Sequence, residues 1–191
     1  MAKRVASSGD QLTGGTRDVN PQYMSGALTL SAANTATEVT LGTPIVRVGP
    51  QTGGSAIIME LIKLWVDMPP VDQDNAAATA RVKRFSLSTT SSGGTAAVVT
   101  LDNPRGLAYL GIQLRNAFTA AGTGMLSNAL EPQCWDFTDG AGHGILVATD
   151  NLFIQADTQG EAAADTFRWK LSYRFKKVSL IEYIGIVQSQ Q

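Results

Sequence analysis

Between residues 167 and 176 apolar and polar side chains alternate. Phe167, Trp169, Leu171, Tyr173 and Phe175 fall on one side, and Arg168, Lys170, Ser172, Arg174 and Lys176 on the other. A period of two belongs to a β-strand, whose side chains recur on one face about every 6.8 Å. The strand presents an aromatic ridge to a core and a basic stripe to whatever lies outside it. Each large apolar side chain gains about 1.5–3 kcal/mol on full burial, so the register is held, because a slip of one residue would bury the charges instead.

Strand signals with turn punctuation between them recur along the chain. MSGALTLS predicts a first strand. TEVTLGTPIVRVG is rich in β-branched residues, with a break or bulge expected at Gly42 and Pro44. SAIIMELIKLWVDM is ambiguous: Glu60 and Lys63, three apart, suit one face of a helix. Its β-branched and aromatic residues, and the Gly53-Gly54 and Pro69-Pro70 pairs that bound it, favour a strand buried on both faces. RVKRFSLST and TAAVVTLD read as two strands joined around Ser92-Gly93-Gly94. GLAYLGIQLRNAF reads as strand or short helix, CWDFTDGAGHG as loop, and GILVATDNLFIQADT as strand with a turn or bulge at Asp150-Asn151. The chain finishes with TFRWKLSYRF and KVSLIEYIGIVQS. The pattern predicts eight to ten strands with little helix, an all-β sandwich or barrel in which eight strands in two sheets is the jelly-roll count. Residues 1–22 are polar and rich in Gly, Ser and Thr, and are expected to form a flexible N-terminal arm, leaving 23–191 as the folded domain.

Composition changes this picture in one respect. Of 191 residues, 43% are hydrophobic and only 16% charged, against roughly 25% charged in an average soluble domain. A surface so poor in charge suits a chain that covers part of itself with partners, copies of itself first among them. The net charge of -1 hides a polarity. Seven acids (Glu131, Asp136, Asp139, Asp150, Asp157, Glu161, Asp165) and no Lys or Arg lie between residues 131 and 165, and five bases (Arg168, Lys170, Arg174, Lys176, Lys177) follow them. The stripe of Arg168, Lys170, Arg174 and Lys176 has three readings: a solvated strand face, a contact with acids of the 131–165 block in the same or a neighbouring subunit, or a contact with nucleic-acid phosphate. Arg81, Lys83 and Arg84 form a second basic cluster with the same choices.

The residues for catalysis are sparse. Cys134 is the single cysteine and His143 the single histidine. His143 lies in GAGHG, with no nucleophile motif such as G-x-S-x-G, and reads as a structural or exposed loop residue. Cys134, beside Trp135, reads as a small buried hydrophobe. Asp67, Asp72 and Asp74 around Pro69-Pro70 are the candidates for a cation, but without an EF-hand pattern they read as solvated turn acids. No phosphate-binding or dinucleotide glycine motif is present, and no cofactor is expected. The start, MAKRVASSGDQLTGG, lacks the apolar stretch of a secretory signal, and no apolar run approaches the length of a spanning helix, so a membrane is not an expected partner.

The stretches GHGILVATDNLFIQADTQG and YRFKKVSLIEYIGIVQSQQ, above all the ending EYIGIVQSQ, together with SAIIMELIKLWVDMP, resemble capsid proteins of small circular single-stranded DNA viruses known mainly from environmental sequencing. The resemblance covers about half the chain. It implies a single jelly roll, self-assembly into an icosahedral shell, an enclosed genome of single-stranded nucleic acid, and a place in the virion after assembly in the host cell. Such proteins often carry a long Arg-rich arm, whereas here the arm offers only Lys3, Arg4 and Arg17. The basic stripe is then the candidate for the arm's role. The competing readings are a β-sandwich module for carbohydrate or another ligand, with Trp65, Trp135 or Trp169 as stacking platforms, and a small hydrolase working through acids.

Overall fold

A computed structural model describes residues 20–43, 46–48, 54–71, 80–93, 98–115, 132–161 and 163–190. Among them are ten strands: β1 (Gln22–Thr29), β2 (Ala36–Gly42), β3 (Val46–Val48), β4 (Ser55–Asp67), β5 (Ala80–Ser88), β6 (Gly106–Arg115), β7 (Gln133–Asp136), β8 (Ile145–Val147), β9 (Asn151–Gln159) and β10 (Thr166–Ser179). One helix, α1 (Leu180–Gln190), follows them. Residues 1–19, with Lys3 and Arg4, lie outside the described residues, as do Asp72 and Asp74.

The strands form two antiparallel sheets. One has the order β1-β10-β4-β3, with β7 and β8 also on β4; the other is β2-β9-β5-β6. Three short strands tile the edge of β4 opposite β10: β3 along Ser55–Ile57, β8 along Met59–Leu61 and β7 along Lys63–Val66. Counted as one position, they give the eight of the expected jelly roll. The pairings are nested: β1 with β10, β2 with β9, β4 with β7 and β8, and β5 with β6. A ribbon of nested antiparallel pairs rolled into two sheets is the jelly-roll topology. The break at Gly42 marks the crossing from one sheet to the other, since β2 and β3 belong to different sheets.

The inner faces meet in one core. Leu28, Met59, Leu61, Leu64, Val66, Phe167, Trp169 and Leu171 come from the six-stranded sheet, and Phe85, Leu87, Leu152, Ile154 and Ala156 from the four-stranded one. Phe85 and Phe167 face each other across the sandwich with centroids 6.5 Å apart. Trp169 needs Gly26 on β1 opposite it, where a Cβ would lie 2.8 Å from the indole ring.

β4 is strand throughout, and its helix-like spacing has a local cause. The register against β10 skips between Ser172/Lys63 and Tyr173/Leu61, which leaves Ile62 as the extra residue of a β-bulge. Its carbonyl accepts from the Phe137 N–H instead. Below the bulge the odd residues Met59 and Leu61 face the core, and above it the even residues Leu64 and Val66 do. Glu60 and Lys63 therefore share the outer face although they are three apart.

Three expectations are corrected. TAAVVTLD is no strand over its described part, residues 98–102. Val98 and Val99 are buried, and the Val99 N–H donates to the Gln155 side chain, so a loop covers the outer face of the four-stranded sheet. Cys134, Trp135 and Asp136, at the start of the expected loop, form β7 with Gln133 on the edge of β4. The end of the chain is helical. Its β-branched residues suggested strand, but the Ser179 hydroxyl accepts from the Glu182 N–H as an N-cap, and Tyr183, Ile186 and Val187 then fall on one helical face against Ala56, Ile58, Ala148 and Val178. At the other end the Gln190 amide accepts from the Ala148 N–H (2.9 Å) and donates to the Leu146 carbonyl (2.6 Å), pairing with β8 as a strand backbone would.

Candidate functional site

The basic stripe lies on the outer face of the six-stranded sheet, and the sequence of β4 decides what each base meets. In the half next to α1, the Glu60 carboxylate is fully buried beneath the loop that follows β7. It accepts from the Arg174 guanidinium and from the Gly144 N–H (2.8 Å), with the Lys176 amine 3.8 Å away. Arg174 also donates to the Gly142 carbonyl. Burial pushes the Glu60 carboxyl up, but Arg174, the Gly144 N–H and Lys176 together hold it below its ordinary value. Gly144 is compulsory, because a Cβ there would run into the Leu61 carbonyl.

In the other half the sheet face carries exposed side chains, Tyr23, Arg168 and Lys170 among them. Lys170 has no carboxylate at ion-pair distance among the described residues. Its amine sits over the Tyr23 ring at 4.6 Å and the Trp65 ring at 5.9 Å, and these rings lie 6.3 Å apart at 40°. Around them Arg168 approaches Asp67 at 3.8 Å and Lys63 pairs with Asp136 at 3.0 Å, all four well exposed. The Thr138 hydroxyl and N–H, with Lys63, hold the Asp136 carboxyl down at about 2.

The second basic cluster is structural in its contacts. Lys83 is fully buried and points between the sheets, where its amine donates to the Pro70 carbonyl and the Asp165 carboxylate, each at 2.6 Å, with Glu161 at 3.6 Å. Arg84 donates to Asp157 at 2.9 Å. Burial pushes the Asp157 carboxyl above its ordinary value, and the Arg84 charge offsets only part of this. Arg81 is buried at the start of β5. The acidic block thus meets Lys63, Lys83 and Arg84, whereas the stripe meets Glu60 and Asp67. Nothing in the sequence marked Glu60 as the partner of Arg174, because their pairing depends on the neighbouring registers of β4 and β10.

Of the remaining candidates, Cys134 is exposed, contrary to expectation, because β7 turns it to the outer face opposite Trp65. His143 is an exposed loop residue whose ring lies 3.1 Å from Asp139, with its N–H also donating to that carboxylate. Asp67 is placed by Arg168. Trp169 belongs to the core and Trp135 packs against it, so among the three tryptophans Trp65 stands on the outer face.

A final surface feature is the outward side of α1. Ile181 is 85% exposed, Ile184 48% and Leu180 45%. A surface helix of a self-sufficient monomer ordinarily carries polar residues there.

No family model and no curated protein matches the chain. Solved structures do. The crystal structure of the Merkel cell polyomavirus virus-like particle aligns over 94% of this chain and 81% of its own, with a TM-score of 0.51 at 11% identity. Merkel cell polyomavirus VP1 in complex with disialyllactose aligns over 86% of this chain and 98% of its own (TM-score 0.50, 10% identity). The human polyomavirus 7 VP1 pentamer aligns over 85% and 98% (TM-score 0.50, 8% identity). At these identities the likeness is one of architecture: this chain is a jelly roll of the kind seen in polyomavirus VP1.

Proposed function

We propose that the chain is a structural capsid protein, copies of which associate into a closed icosahedral shell around a viral genome, single-stranded DNA being the genome that the sequence resemblance implies. The observation that carries the reading is the outward face of α1. Leu180, Ile181 and Ile184 form an apolar strip on a helix already anchored by its other side and clipped by Gln190. Contiguous exposed apolar surface on a rigid element fits a protein–protein contact, and a low charge content suits a surface largely covered in an assembly. The likeness to a VP1 pentamer and to a virus-like particle supports the same reading. The polar clusters at Glu60, Lys83 and Asp157 each knit strands or loops together, which fits a scaffold rather than a reaction centre.

The test is the state of association. The purified chain should run in size-exclusion chromatography with light scattering as a multiple of its 20.2 kDa mass. Replacing Ile181 and Ile184 with Asp should shift it to smaller species without unfolding it. A wild-type chain that stays monomeric across the salt and pH conditions in which shells form would overturn the proposal.

A further inference from the structure

The half of the outer sheet face away from α1 is built differently from the half beside it, and the geometry points to a role for it: Tyr23, Trp65 and Lys170 form a stacking platform for the bases of a single-stranded nucleic acid. This rests on the shell reading only for the identity of the strand's owner.

Three observations lead there. Two large aromatic side chains stand on the outer sheet surface, Tyr23 58% exposed and Trp65 half-buried. They lie close enough for planar groups to lean on both. Lys170 is set between them with no carboxylate at ion-pair distance among the described residues, unlike the neighbouring Arg168 and Lys63. A cation beside aromatic rings on a sheet surface is the pairing that unpaired nucleic acid uses, the rings taking base faces and the amine a phosphate. A sheet that offers aromatic side chains on adjacent strands is a known way to hold splayed bases. The local balance also favours an anion, because Lys63, Arg168 and Lys170 stand against Asp67 and Asp136. Arg174 and Lys176, which the sequence groups with Lys170, are turned to Glu60 and stand apart from the platform. The bland account, in which Lys170 serves only to tie β1 to β4 through its contacts with the rings, predicts a loss of stability and no ligand.

The experiment measures anisotropy of a labelled oligothymidine strand, and of a duplex of equal length, with the full chain. The single strand should bind more tightly than the duplex and quench tryptophan emission. Tyr23→Ala should weaken it by roughly tenfold, the loss of one base stack. Trp65→Phe, which keeps a ring, should bind nearly as well as the wild type. Lys170→Gln should lower the slope of affinity against salt by about one phosphate contact. Lys176→Gln, in the Glu60 half, should leave binding unchanged. Thermal unfolding of each variant identifies any that has lost its fold. Single-strand affinity equal in the wild type, Tyr23→Ala and Lys170→Gln overturns the platform, as does equal affinity for the duplex, or preference for an acidic oligosaccharide that depends on the same residues. Light scattering on the same samples keeps the two proposals separate: particles without strand binding sink the platform alone, and strand binding without particles sinks the shell alone.

Discussion

Glu60 shows how far a single residue reaches. Its carboxylate, on the outer face of the six-stranded sheet, joins β4, β10 and the loop before β8. Replacing it with Gln leaves Arg174 facing a weaker acceptor and should cost about 3 kcal/mol, within the range for breaking a buried pair, as read by urea unfolding at neutral pH. The acid limb should change too. Because its folded value lies below the ordinary 4.5, Glu60 adds stability that is fully present above that value and is lost as the pH falls through the lower, folded one. Glu60→Gln should therefore remove part of the stability loss seen in the wild type on acidification, and an unchanged acid limb would show that the pair contributes nothing. At this scale the sequence was legible in part. The alternation of 167–176 announced a buried side for β10 in part: Phe167, Trp169 and Leu171 are buried, whereas Tyr173 and Phe175 are half-buried and Ser172, on the other side, is buried. It did not announce that Lys83, equally charged, points inward. That depends on Glu161 and Asp165 being delivered from the other side of the sandwich to meet it.

Among the elements, α1 is the one the pattern hid. Its Ile and Val residues carry strand propensity, and its apolar residues run around more than one side, so no clean stripe appears. The legible sign was Ser179-x-x-Glu182, the spacing of a capping box. Ser179→Ala should cost about 1 kcal/mol in thermal or urea unfolding. If the helix holds the assembly contact, the same change should also lower the proportion of large species, since the apolar strip is then less well held. By contrast Ile181→Asp, at a position 85% exposed, should leave the unfolding midpoint nearly unchanged while reducing association. The bulge in β4 was illegible for a complementary reason: an extra residue in one strand leaves no mark of its own, and only pairing with the uninterrupted alternation of β10 reveals it.

For the whole molecule, strand count and turn spacing led to the right class, and the pairing order then separated the jelly roll from other sandwiches. That order could not be read from the chain, because each sheet joins segments far apart in sequence: β1 to β10 and β2 to β9. The nesting has a consequence for how the protein comes into being. β9 and β10, late in the sequence, sit between β2 and β5 and between β1 and β4, so among the described strands β1 and β2 join their sheets only through them. The sandwich cannot close before they arrive, and folding waits for contacts of long sequence separation, which places it among the slower two-state topologies. A chain stopped at Gln159, lacking β10 and α1, should show no cooperative unfolding transition by circular dichroism, rather than the half-sized transition of a folded fragment. In this architecture the two sheets close only when β9 and β10 enter them, and no face of the sandwich is complete before they do.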